Sequence, residues 1–256
     1  MPALSVAIWY KQSPFIKTKD TGMRWDLKGW AALHVLALLL FFTWWFGYWQ
    51  GLDEGIFWWF NQRLVTVSGF AEFVAFVNQR WIDGAVAILM AGFVFRHAWQ
   101  VTGRERAKMG CLLLLMAGCF SLQAAAGKAL PVERASPTIV YEQAERVSQL
   151  VPEIKAKDAS GDSFPSDHGI GFATFLLFAC YRFPRRYLYV VAPLVFILAM
   201  PRVMSGAHWF TDFICGSIPL ALITGAWLFH TPLAHRLTEI MVTPVDKLLT
   251  RWRLQG

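Results

Sequence analysis

Near the end of the chain, Pro201–Asp212 sets an arginine, a histidine and an aspartate in the order Arg202-x5-His208-x3-Asp212. Residues four apart on a helix share a face, so Asp212 can accept a hydrogen bond from one imidazole nitrogen of His208. Such a bond selects the tautomer and leaves the other nitrogen as a base or nucleophile. Arg202 stands one turn earlier, and a guanidinium grips phosphate through two N–H groups. A second constellation, Ser163–Phe164–Pro165–Ser166–Asp167–His168–Gly169, reads as a helix start with Ser166 or Asp167 as cap. The free N–H groups of such a start bind anions. Lys128 and Arg134 form a third group at the end of an apolar run. Together these residues are a phosphoryl-transfer set needing no metal and no cofactor: no HExxH motif or carboxylate cluster points to zinc or magnesium. Acyl transfer would need Ser166 as nucleophile, but the flanking cations favour phosphate. Each group also has a plainer reading: a pinned helix pair, a capped helix start, snorkelling cations. Ionisable groups beside apolar segments are costly and usually functional.

The elements that must position these residues are apolar helices. The 256-residue chain is 56% hydrophobic with only 16% charged residues, against about 25% in a soluble domain. Its mean hydropathy is +0.41. This excludes a disordered or fibrous protein and an ordinary soluble globule. Six apolar segments, 29–49, 81–99, 109–130, 167–183, 187–204 and 208–234, approach the ~20 residues that a membrane span requires. Packed membrane helices tolerate prolines such as Pro193 and Pro201. The four cysteines lie in apolar runs without CxxC spacing, so they read as buried small side chains.

The net charge of +7 does not indicate nucleic acid, because the basic residues gather at segment ends. With the N-terminus cytoplasmic, sixteen of the 24 Lys and Arg fall inside, in four clusters, while twelve of the 17 acids fall outside. The positive-inside rule selects that orientation. The expected fold class is thus an all-α integral membrane protein. It is a six-transmembrane-helix bundle with both termini cytoplasmic and an additional interfacial helical segment in the aromatic stretch 50–80. Residues 1–28 read as a retained cytoplasmic segment without a cleaved signal, 29–235 as the membrane domain, and 236–256 as a cytoplasmic tail. The polar stretch 131–166 is long for a connection and is flanked by the chemistry, which favours a functional loop. A helix from Ser166 to Arg182 rises only about 25 Å, less than the ~30 Å hydrocarbon core. His168 is therefore expected at or slightly beneath headgroup level, where a lipid can reach it laterally.

The motif set resembles the type-2 phosphatidic acid phosphatase superfamily, whose pattern is Lys-x6-Arg-Pro, Pro-Ser-Gly-His and Ser-Arg-x5-His-x3-Asp. Here Pro201 replaces the serine of the third part and Asp167 the glycine of the second. In the first part Lys128 lies six residues before Arg134 rather than seven, and Ala135 replaces proline. Phe60–Val65, Arg134–Thr138, Lys157–Gly169 and Pro201–Asp212 further resemble one branch of that superfamily. Its members move the distal phosphate of undecaprenyl diphosphate onto the 1-phosphate of lipid A, at the periplasmic face of the bacterial inner membrane. The resemblance covers roughly residues 52–235.

It implies His208 as nucleophile oriented by Asp212, and a phosphohistidine intermediate. His168 would be the acid for the departing undecaprenyl phosphate and then the base for the acceptor. Arg134, Arg202, Lys128, Ser166 and the helix-start N–H groups around Gly169 would hold phosphoryl oxygens. Asp167 brings negative charge to that set and could instead order Arg134, Arg202 or a headgroup cation. Two other functions remain open. One is a metal-independent phosphatase acting on undecaprenyl diphosphate, lipid A or phosphatidylglycerophosphate. The other is a channel or transporter, against which the gathering of charges at one membrane face counts.

Overall fold

The computed structural model describes residues 24–99, 104–183 and 185–253. Most of the expected N-terminal segment, residues 1–23, lies outside them. The described residues form helices and no strand: α1 (Leu27–Trp45), α2 (Gln50–Thr66), α3 (Phe70–Val77), α4 (Arg80–Trp99), α5 (Arg104–Lys128), two single turns α6 (Pro137–Val140) and α7 (Val147–Leu150), α8 (Asp167–Arg182), α9 (Arg185–Met204), a π-helical turn Asp212–Ser217, α10 (Ile218–Phe229) and α11 (Leu233–Arg253).

Each of the six apolar segments is helical, but they are not equal as spans. Among the described residues, Leu27–Trp45, Arg106–Lys128, Tyr187–Met204 and Asp212–Phe229 are long and apolar enough to cross a membrane. α3 and α4 count as a fifth span only when taken as one element bent by 60°. The second segment is thus the longer half of a broken helix. α8, with 16 residues, is shorter than a lone span requires. It is also the helix at the centre of the packing, against α5, α9, α10 and the π turn. Ile170, Ala173, Phe175, Leu177, Phe178 and Ala179 are all buried, as expected of a helix apolar on every side. α1 lies along α10 and exposes Val35, Leu36, Leu38, Leu39 and Phe42, an apolar face suited to hydrocarbon rather than water.

The aromatic stretch 50–80 becomes α2 and α3, joined through Gly69, whose φ of 77° is open to glycine without strain. α2 buries Asp53, Phe57, Asn61 and Leu64, spaced as one helical face. The segment therefore packs into the protein along a full face. The stretch 131–166 folds back on itself. The Ser163 amide donates to the Arg134 carbonyl at 2.7 Å and the Ser136 amide to Ser160 at 2.9 Å. Asn61 holds Glu145 by donating to its carbonyl (2.8 Å) and accepting from its amide (3.1 Å). Asp158 accepts from Ser148 and Arg146. A polar loop held this way can place Arg134 and Ser163 as firmly as a helix would.

Candidate active site

Ser166 caps α8: its Oγ accepts from the Gly169 amide at 3.2 Å. A cis Phe164–Pro165 peptide precedes it. α8 then presses closely on the π turn. A Cβ on Gly169 would lie 2.4 Å from Ser217 Oγ and 2.7 Å from the Phe213 ring, so this contact requires glycine. Ser217 Oγ donates to the carbonyls of Ser166 (2.8 Å) and Asp212 (3.2 Å), and the Ser166 amide donates to the Asp212 carbonyl at 3.3 Å. The second and third motifs are thereby joined through their backbones.

His208 does not sit on a helix with Asp212, as the four-residue spacing suggests. It lies in the turn before the helix, which passes through Gly206 at φ 72°. Asp212 opens the π turn and reaches back, its Oδ2 accepting from the Trp209 amide at 2.8 Å. His208 Nδ1 donates to the Ser163 carbonyl at 2.8 Å, while Asp212 Oδ2 stands 3.3 Å from the same nitrogen. The carbonyl is the shorter partner and selects the tautomer with the proton on Nδ1. The carboxylate adds electrostatic support for a charged ring. Nε2 is left with its lone pair free of that bond.

Arg134 fills the space behind this pair. It donates to Asp212 Oδ1 (2.6 Å), Thr211 Oγ1 (2.9 Å) and Asp53 Oδ2 (2.7 Å), with its guanidinium between the rings of Trp44 and Trp209. Asp53 also accepts from the Thr211 amide at 3.0 Å and from its hydroxyl. Burial pushes the Asp53 carboxyl above its ordinary range, against the opposing pull of Thr211 and Arg134. On the other flank, Arg202 Nη2 donates to Asp83 Oδ2 at 2.7 Å and lies 3.2 Å from His168 Nε2. His168 Nε2 is itself 3.1 Å from that Asp83 oxygen. Arg202 Nη1 donates to the Asn78 carbonyl at 3.3 Å, and the Asn78 side chain donates to the Pro201 carbonyl at 2.8 Å. Below them an apolar cavity of about 390 Å³ runs between α4, α5 and α8, its lining including Met90, Met116, Phe120 and Phe172 together with Asp83, Asp167 and His168.

Residues 108–236 match the PAP2 superfamily. The chain belongs to that superfamily. It is 39% identical over 226 residues to lipid A 1-diphosphate synthase of Escherichia coli (strain K12), an alignment spanning 85% of this chain and 92% of that protein. No solved structure matches the chain significantly. The chain is accordingly an enzyme of the PAP2 type, and this relationship supports a phosphotransferase.

In this PAP2 protein the expected site residues fall into two contact groups. His208, Asp212 and Arg134 form one, and His168 with Arg202 the other. Ser166 and Gly169 lie buried at the start of α8, and the Gly169 amide is already engaged by the cap. Asp167 is exposed at the cavity mouth. It pairs with neither arginine: Arg134 is held by Asp53 and Asp212, and Arg202 by Asp83. Lys128 ends α5 and is exposed. Among the described residues no group of three or more His, Cys, Asp or Glu side chains is placed to hold a metal ion.

Sequence reasoning missed two carboxylates. Asp53 and Asp83 lie outside the family motifs and before residue 108, where the superfamily match begins. A signal existed for each. Asp83 is an acid at the edge of an apolar segment, and Asp53 shares helical spacing with Phe57, Asn61 and Leu64 in an aromatic stretch. Ser163 was in view only as a serine, whereas its backbone carbonyl is what meets His208.

Proposed function

We propose that this enzyme transfers the distal phosphate of undecaprenyl diphosphate to the 1-phosphate of lipid A. His208 Nε2 attacks the distal phosphorus, the bond to the bridging oxygen breaks, and undecaprenyl phosphate departs with a proton from His168. An oxygen of the lipid A 1-phosphate then attacks the phosphohistidine, His168 takes up any proton that oxygen carries, and His208 is regenerated. Arg202 and the α8 start stabilise the charge on the transferring group, and Arg134 does so from behind Asp212. The observation that carries this reading is the His208 imidazole: its Nδ1 is committed to the Ser163 carbonyl at 2.8 Å and backed by Asp212 at 3.3 Å. The His168–Arg202 pair belongs to the same joined pair of motifs.

The apolar cavity beside His168 suits the chain of a lipid substrate, with the phosphates at its polar end. Six membrane crossings, with α8 as the short central one, keep both termini cytoplasmic and the site at the periplasmic face of the bacterial inner membrane. The short span of α8 draws His168 to headgroup level or slightly beneath it. Residues 29–235 are the membrane domain, with 1–28 and 236–256 as cytoplasmic flanks.

The test uses purified protein and undecaprenyl diphosphate labelled in its distal phosphate, with and without lipid A. The expected result is label in lipid A 1-diphosphate, and an alkali-stable, acid-labile label on the protein when acceptor is withheld. His208→Ala should lower transfer by ~10³-fold or more and abolish the protein label. Free phosphate as the sole product would replace the transferase with a hydrolase.

A further inference from the structure

We propose that Asp83 is a resident stand-in for the substrate's phosphate and, by competing for its donors, keeps free phosphate out of the site. This rests on the phosphoryl site described above but not on which acceptor it serves. Arg202 Nη2 and His168 Nε2 lie 3.2 Å apart and share one acceptor, Asp83 Oδ2, at 2.7 and 3.1 Å. An oxygen at those distances from a guanidinium and an imidazole is where a phosphoryl oxygen would be held. The side chains in direct contact across the whole site make the same point. Arg134 and Arg202 face Asp53, Asp83 and Asp212, so the two guanidinium charges are matched by carboxylates of the chain itself.

A phosphate and the Asp83 carboxylate cannot both use these donors, because like charges on one pair of donors repel. Asp83 is the member free to yield. Its side chain is 35% exposed, against 7% for Arg202. Arg202 keeps its aim without it, since Nη1 is held by the Asn78 carbonyl at 3.3 Å and Asn78 is tied to the Pro201 carbonyl. Arg80, exposed and three residues before Asp83 on α4, offers the displaced carboxylate a new partner across one helical turn. A phosphate carried by a lipid gains the contacts of the apolar cavity, which Asp83 itself lines, to offset the displacement. Inorganic phosphate gains nothing there, so the carboxylate keeps it out.

The test measures inorganic phosphate binding to the full-length protein in detergent, by the rise of its thermal midpoint with phosphate concentration. The wild type is compared with Asp83→Asn and Asp83→Ala. If the resident carboxylate occupies the donors about nine-tenths of the time, phosphate binds the variants ~10-fold more tightly than the wild type. Binding of the lipid diphosphate tightens by the same factor, because either ligand must displace the same carboxylate. Phosphate affinity that is unchanged or weaker in both variants would overturn the proposal and make Asp83 a strut that aims Arg202 and His168. If neither variant folds, the same phosphate titration is made on Asp83→Ser, which keeps a small polar side chain without the charge. Tighter phosphate binding supports the exchange, and unchanged or weaker binding overturns it. Phosphate binding is scored without turnover, so it stands or falls separately from the transfer assay.

Discussion

Replacing Asp53 by asparagine tests whether α2 supports the residues around His208 rather than only anchoring the chain. The substitution conserves volume at a residue that is 2% exposed. The retained carbonyl oxygen can still accept from the Thr211 amide. The new NH2 group faces Arg134 Nη2, where a charged acceptor stood at 2.7 Å, and the Thr211 hydroxyl must turn to accept from it. A hydrogen bond to a charged group contributes about 1.5–3 kcal/mol, and breaking a buried ion pair costs about 3–5 kcal/mol. Two features place the effect low in that span. Arg134 keeps Asp212 at 2.6 Å with 20% of its side chain exposed, and burial already works against the Asp53 charge. About 2–3 kcal/mol is expected, which for a chain of this length lowers the thermal midpoint by roughly 5–10 °C. Turnover should fall as well, by ~10–100-fold, because Arg134 shifts and Asp212 beside His208 moves with it. Thermal unfolding in detergent and transfer kinetics on the same preparation measure both. A midpoint within about 1 °C of wild type together with full turnover would refute a supporting role for α2.

Gly169→Ala should destabilise by about 1–3 kcal/mol through overpacking against Ser217 and Phe213, visible as a lowered thermal midpoint. In a double-mutant cycle Gly169→Ala should cost less in a Ser217→Gly background than in the wild type, and an equal cost in both would show that the contact with Ser217 is not the cause. At the other end of the bundle, the Gly29 amide and then His230 hold the Asp26 carboxyl below its ordinary 3.8. A lowered carboxyl contributes stability that is present above the unfolded value and lost as pH falls through the folded one. The thermal midpoint should therefore decline on acidification below about pH 4, and less steeply in Asp26→Asn. Identical acid limbs would remove Asp26 as a source of that dependence.

Local features of the chain were legible because they rest on nearest neighbours. The Ser166 cap follows from a serine placed before Asp167–Gly169, and the helical segments follow from runs of apolar residues. The bent α3–α4 pair was read only in its second half, because α3 alone is eight residues and its aromatic composition suits an interface equally well. The His208–Asp212 relation was half legible. Their proximity follows from spacing, but the partner that selects the tautomer is a backbone carbonyl 45 residues away, and a carbonyl has no signature in sequence.

Composition and motif order by themselves determine that this is a helical, apolar chain with PAP2-type chemistry, because apolar runs and the order of Arg, His and Asp are properties of the primary sequence. Only the packed helices decide which carboxylate meets which cation. Arg134 pairs with Asp53 across 81 residues and Arg202 with Asp83 across 119. An ion pair forms between side chains brought within about 3 Å, and for residues that far apart in the chain the distance is set by how α2, α4 and α9 lie against their neighbours.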